Sequence, residues 1–164
     1  MKNCLTIAGS DCSGGAGIQA DLKTFSALGC YGMSVITSVV AENTERVITS
    51  MAVAPDVISA QLDAVFTDIR VDAVKIGVLP DAGAMRAVAA ALLKYQPEIV
   101  VCDPVISATA GGDLMQGSAL GAFIGGIIPL CSLLTPNIPE TETLLGCKIE
   151  SLTDIKAAAL SLFA

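Results

Sequence analysis

Two acids and one glycine-rich turn set the chemistry open to this chain. Asp103 stands directly before Pro104, and Glu140 follows Asn137 in an Asn-x-x-Glu spacing. Each acid alone reads as a turn residue or a helix-start carboxylate. Upstream, Gly15-Ala16-Gly17-Ile18-Gln19-Ala20 fits the G-x-G-x-x-A dinucleotide pattern, and Glu42 falls where a ribose-binding acid would stand. In that pattern a strand runs almost directly into the first glycine, whereas here Gly9 to Gly14 intervene. No Gly-Lys-Ser/Thr follows, so it is not a Walker A loop either. A flexible turn opening a helix remains the alternative. The chain has no histidine, which excludes His-based triads and leaves base work to Asp, Glu, Lys or Cys.

These residues sit between segments of alternating type. Leu5–Ala8 reads as a buried strand, and Ile18, Leu22, Phe25 and Leu28 recur at helical spacing up to Gly29. Gly32 to Ala41 is a continuous β-branched run, expected to be one strand, and Arg46–Val53 another. Pro55 opens a helix with Val57, Ile58, Leu62, Val65 and Phe66 on one face. Further strands are expected at Ala73–Ile76, Ile99–Cys102 and Leu133–Thr135. Helices are expected at Gly83–Tyr95, Ser118–Ile128 and Pro139–Leu145, with a last one capped by Thr153 and still running at Ala164. Such alternation predicts an α/β fold: a mainly parallel sheet with helices on both faces. In that arrangement ligands bind outside the carboxyl ends of the strands. The segments at those ends are Gly9–Gly17, Glu42-Asn43-Thr44, Lys75 to Val78, Asp103-Pro104-Val105 and Thr135 to Glu140.

Composition narrows the classes further. The 164 residues are 53% hydrophobic and 15% charged, with 15 Gly, two Tyr, four Phe and no Trp. Small aliphatic residues suit helices packed closely over strands buried on both faces. A net charge of −7 argues against nucleic-acid binding, which needs basic groups to displace phosphate counterions. The six cysteines include no C-x-x-C pair and read as reduced, mostly buried thiols. The N-terminal run is too short for a signal peptide core, so the cytoplasm is expected. Ser118 to Leu134 is largely apolar, but Gly125-Gly126 and Pro129 interrupt it, against a membrane span of about 20 residues. The closing apolar helix without a stop signal suggests a chain cut short, with exposed apolar surface favouring association such as a homodimer.

Five blocks together resemble a known family. They are Leu5 through Asp11 with Gly14 through Thr24, then Ser34–Thr44, Asp72–Gly77, Val101–Val105, and Leu134–Glu140. In this order they are similar to hydroxymethylpyrimidine/phosphomethylpyrimidine kinases, the thiamine-pathway branch of the ribokinase-like fold. The resemblance covers essentially the whole chain, which would then be the N-terminal portion (1–164) of a single ribokinase-like domain. It implies ATP-dependent phosphorylation of 4-amino-5-hydroxymethyl-2-methylpyrimidine and of its monophosphate, with Mg²⁺.

By position, the resemblance implies that Gly9, Asp21, Val40, Val78 and Val105 line the pyrimidine pocket. Asp103 and Glu140 would organise the metal, and Asn137 the ATP phosphates. Glu42 stands where the family usually carries Gln, whose amide pairs with the aminopyrimidine. A carboxylate can do the same only if it or a ring nitrogen carries a proton. A solvated strand-end Glu is the plainer reading. The family's Gly-Thr-Gly-Cys segment, which activates the hydroxyl, does not occur here, so no catalytic residue is assigned and little or no turnover is expected. A pyridoxal-type vitamin kinase, a non-catalytic pyrimidine-binding fragment and, last, a dinucleotide-dependent oxidoreductase remain alternatives.

Overall fold

The computed structural model describes residues 1–106 and 118–163. Strands β1 (Asn3–Ala8), β2 (Tyr31–Ile36), β5 (Ala73–Ile76), β6 (Val100–Cys102) and β7 (Leu133–Leu134) form one sheet in the order β2-β1-β5-β6-β7. Every pairing in it is parallel. Helices α1 (Gly17–Ala27), α2 (Pro55–Asp68), α3 (Ala82–Tyr95), α4 (Ser118–Gly126), α5 (Ile138–Leu145) and α6 (Leu152–Phe163) complete the described elements, with a 3-10 turn at Ile128–Leu130. The α/β alternation expected from the sequence is present. The expected end of the last helix at Ala164 lies outside the described residues, and Ser151, not Thr153, caps its start: the Ser151 Oγ accepts from the Asp154 N–H at 3.2 Å.

One expected strand is two. The run from Gly32 to Ala41 breaks at Thr37, and its second half becomes β3 (Ser38–Glu42). There it pairs antiparallel with β4 (Val47–Ala52) as a separate ribbon. The cause is a change of partner. The Thr37 N–H still donates to the Ala8 carbonyl in the main sheet, while its own carbonyl accepts from Val53. Its buried hydroxyl donates to the Val78 carbonyl at 2.7 Å. A β-branched run carries no signal of which strand it pairs with.

The two faces of the sheet also differ. Leu5, Ile7, Met33, Val35, Val74, Ile76, Val100 and Cys102 alternate along the strands onto one face, where they join Ile58, Leu62, Met85, Val88 and Phe123 in a single core. Each such side chain contributes about 1.5–3 kcal/mol of transfer free energy. Val57, expected on the buried face of α2, is exposed. The opposite sheet face carries Thr6 and Lys75, under α1. On β5 and β6 that face is only half-buried among the described residues, so the expectation of strands buried on both faces is corrected. The thiols differ from expectation too: all six are free, but only Cys102 is buried, and Cys12 and Cys147 are exposed.

Candidate functional site

Strand register decides which loops meet. Ala8 pairs with Ile36, Ile7 with Ile76, Ile76 with Cys102, and Cys102 with Leu134. The residues that follow, Gly9, Thr37, Gly77, Asp103 and Thr135, therefore emerge along one rim. Backbone bonds stitch it: Thr37 N–H to Ala8, Gly77 N–H to Ile7, Asp103 N–H to Ile76 and Thr135 N–H to Cys102. Strand order reverses between β1 and β5, with β2 on one side and β6 on the other. A crevice at such a switch point is where open α/β sheets bind ligands.

The loop from β1 to α1 is built on Asp11, to which the sequence reading gave no role. Its carboxylate is buried and accepts from the backbone N–H groups of Ser13, Gly15 and Ala16 at 2.7, 2.9 and 2.7 Å. Burial alone would push this carboxyl up. The Ser13 hydroxyl and the three N–H donors outweigh that and hold it at about 2. The usable signal was an Asp followed by small turn residues whose N–H groups it can collect. Gly17 opens α1 at φ +54, and a side chain there would run into the Gly9 carbonyl. That carbonyl accepts from the Ile18 N–H at 2.9 Å, so glycine is required at this close approach. Gly9 itself is buried against Ser38, where a Cβ would come within 2.5 Å of the Ser38 hydroxyl.

Ser10 and Cys12 tie this loop to the ribbon. The Ser10 N–H donates to the Ser38 carbonyl, and the Val40 N–H donates to the Ser10 hydroxyl at 3.1 Å. The Cys12 thiol donates to the Glu42 carbonyl at 3.0 Å and accepts from the Glu42 N–H at 3.3 Å. Glu42 is thus held at the mouth of the loop, where burial first and the Asp11 carboxylate second push its own carboxyl up. The plain reading of Glu42 as a freely solvated strand end does not fit this placement.

Asp21, on α1, is reached from the sheet. Its Oδ2 accepts from the Thr6 hydroxyl at 2.6 Å and from the Lys75 Nζ at 3.0 Å. Both partners are half-buried or buried, so the pair is shielded from full solvent screening. The sequence reading placed Lys75 at a strand end and Thr6 within a strand without giving either a role, because cross-strand partners that are 69 residues apart carry no local pattern. Val78 lies beside the same crevice, its carbonyl bound by Thr37.

At the β6 end, Asp103 and Glu140 approach each other. The Glu140 carboxyl is pushed up by burial, with the Asp103 charge adding to it, against opposing hydrogen bonds from the Asn137 and Ile106 backbones. Asn137 and Glu140 also form a reciprocal cap at the start of α5: Glu140 N–H donates to the Asn137 side chain at 2.9 Å, and Asn137 N–H to the Glu140 carboxylate at 2.8 Å. The helix-start reading of Glu140 from sequence is therefore real, and Asn137, to which the sequence reading gave no capping role, is the cap residue. It also fixes the direction of Glu140. Val105 follows Asp103 in a tight turn, its N–H donating to the Asp103 carbonyl at 2.9 Å. Next to this pair the Cys102 thiol is pushed up by Cys131 and by burial, so it stays protonated and is no base. The two acids fit a hard divalent cation on chemical grounds: they are neighbouring negative charges, one of them buried, and the metal's own charge relieves both. A group of three or more potential ligands does not occur among the described residues.

Gly9, Val40 and Glu42 are joined to the β1–α1 loop, Asp21 to Lys75, Val78 to Thr37, and Asp103, Val105, Asn137 and Glu140 follow the ends of β6 and β7. An apolar groove of about 650 Å³ lies elsewhere, between β7 and α6, and is lined by Leu133, Ile138, Ile155 and Leu162 with no acid.

Comparison with known proteins decides the family. The model of the phosphomethylpyrimidine kinase family matches residues 11–164. The chain belongs to this family. It is 52% identical over 143 residues to the hydroxymethylpyrimidine/phosphomethylpyrimidine kinase of Escherichia coli K12, covering 87% of this chain and 54% of that protein. The crystal structure of phosphomethylpyrimidine kinase from Clostridium difficile 630 superposes with TM-score 0.94 at 45% identity, covering 99% of this chain and 71% of that one. A pyridoxal kinase from Staphylococcus aureus, in complex with AMP-PCP and pyridoxal, superposes with TM-score 0.86 at 34% identity and 99% and 58% coverage. The chain thus spans about half the length of the curated relatives it matches. Family membership and the ribokinase-like fold leave the dinucleotide pattern at Gly15–Ala20 as a coincidence of composition.

Proposed function

We propose that this chain is the N-terminal portion of a single ribokinase-like domain that phosphorylates the hydroxymethyl group of 4-amino-5-hydroxymethyl-2-methylpyrimidine, and then its monophosphate, from ATP. The observation carrying this reading is the rim itself: the Asp11 loop and Glu42 at one end and Asp103 with Glu140 at the other, on either side of the β1–β5 switch. Gly9, Val40, Val78 and Val105 bound the space for a flat ring, and Asp21, steadied by Thr6 and Lys75, is the polar group for its hydroxymethyl arm. Asp103 and Glu140 would hold Mg²⁺, with the Asn137 N–H setting the Glu140 carboxylate. When bound, the metal neutralises phosphate charge during transfer. The sequence contains no Gly-Thr-Gly-Cys run, and the residues of the rim bind and orient. No described helix is long and apolar enough to cross a membrane. We place the protein in the cytoplasm, with the exposed Ile48 and Met51 of the ribbon as the surface for a second copy.

Glu42 favours a second reading, a pyridoxal-type kinase, since it departs from the family's Gln. Isothermal titration with the pyrimidine alcohol, pyridoxal and NAD separates the readings. Binding of the pyrimidine at least tenfold tighter than pyridoxal is expected, and the reverse order replaces the first reading by the second. Asp103→Asn is expected to weaken Mg²⁺-dependent ATP binding at least tenfold while leaving pyrimidine affinity within about twofold. Equal loss for both ligands would refute the division of the rim.

A further inference from the structure

Lys75 stands apart from the other cations of the chain. Nine Lys and Arg residues occur, all of them among the described residues, and Lys75 is the one that is not exposed. Its side chain leaves β5 on the α1 face and runs along the strand towards the rim, where a Cβ on Gly77 would stand 3.2 Å from the Lys75 Nζ. Glycine at that position leaves the ammonium uncovered at the β1–β5 switch. An ammonium has three donors. One of them goes to Asp21 Oδ2 at 3.0 Å, and the side chain makes no other hydrogen bond among the described residues. Thr6, the cross-strand partner of Lys75, donates to the same oxygen at 2.6 Å. Asp21 Oδ1 is thereby left without a donor among the described residues. Lys23, two residues along α1 from Asp21, is exposed and donates to the Gly14 carbonyl at 2.7 Å.

The two substrates in the reading above differ in charge at one place. The arm of the alcohol is a neutral donor, which suits Asp21 Oδ1. The monophosphate carries a charge of about −1.5 to −2 near neutral pH. It must enter a rim that already holds Asp11, Glu42, Asp103 and Glu140, and Lys75 is the half-buried cation there. We propose that Lys75 binds the phosphate of the monophosphate through its two remaining N–H groups, and so is the specificity-determining residue that admits the second substrate. The Asp21–Lys75 pair then serves both substrates from one place: the carboxylate takes the alcohol, and the ammonium takes the phosphate. The inference rests on the pyrimidine reading above.

The test is calorimetric titration of the native chain and of Lys75→Met with 4-amino-5-hydroxymethyl-2-methylpyrimidine and with its monophosphate, without Mg²⁺ or ATP. The ratio of the monophosphate Kd to the alcohol Kd is expected to rise at least about fivefold in the variant, the effect of losing a charge-assisted hydrogen bond. A smaller rise, including the equal loss for both ligands that a merely structural role would give, overturns the inference. So does a native chain that binds only one of the two ligands. These outcomes leave the family's pyrimidine pocket standing. If circular dichroism shows the variant to be unfolded, the native chain alone decides. Phosphorus NMR of the bound monophosphate is expected to place its second ionisation below the free value of about 6, and a value at or above it overturns the inference. Absence of binding of either ligand by the folded native chain overturns the pyrimidine reading, and this inference with it.

Discussion

The rim holds two pairs of neighbouring acids, and they are stabilised in opposite ways. In the Asp11–Glu42 pair, backbone donors converge on Asp11 and keep it charged, which leaves Glu42 as the group pushed up. In the Asp103–Glu140 pair, Glu140 is pushed up by burial and by its neighbour, with fewer donors in opposition. The first pair is completed by the protein's own N–H groups. The second has fewer such donors, and it is the pair we propose for a divalent cation. Local donors, more than proximity alone, decide which of two neighbouring carboxylates stays charged.

Three perturbations break or sharpen this contrast. The largest effect is expected from Asp11→Ala, which leaves three N–H groups of a buried loop without their acceptor. Urea unfolding should show a loss of about 3 kcal/mol, well beyond that of Glu42→Ala. Equal losses would mean that Asp11 is not the anchored member. Asn137→Ala removes the side-chain half of the α5 cap, keeping the Asn137 N–H that holds the Glu140 carboxylate, and should cost about 1 kcal/mol in the same assay; a cost near zero would mean that the Asn137 side chain does not stabilise the start of α5.

The smallest effect is in pH. Asp11, held at about 2 when folded, ionises near 4 when unfolded, so the folded state binds fewer protons between these values. Its contribution is complete above about pH 4 and is lost as pH falls towards 2. Glu140 is shifted upward, so its folded form binds more protons, and its contribution fades as pH rises through and above the ordinary Glu range. Thermal unfolding followed against pH should therefore show the advantage of native over Asp11→Asn shrinking in acid, and that of native over Glu140→Gln shrinking towards neutral pH. Slopes of the same sign for both variants would erase the distinction between the pairs.

Much of this was legible before the structure. Strands β1, β5 and β6 and helices α1, α2, α3 and α5 follow from period, proline and glycine placement, because those signals act within a few residues. Asp103 and Glu140 were legible as candidates because they stand at strand and helix ends. Asp11, by contrast, was read only as part of a turn, since the donors that make it special are backbone groups with no sequence identity. Lys75 was read as part of a strand, since Asp21 reaches it from a helix 54 residues earlier.

The sequence by itself determined the order of elements, the acid supply and the glycine positions, all of which depend on local backbone preference and side-chain chemistry. Only the tertiary structure decided that Thr37 splits one β-branched run between two sheets, that one sheet face is better buried than the other, and which acid pairs with which. Those outcomes depend on long-range register and on donors from distant segments, whose energies no local window of residues contains.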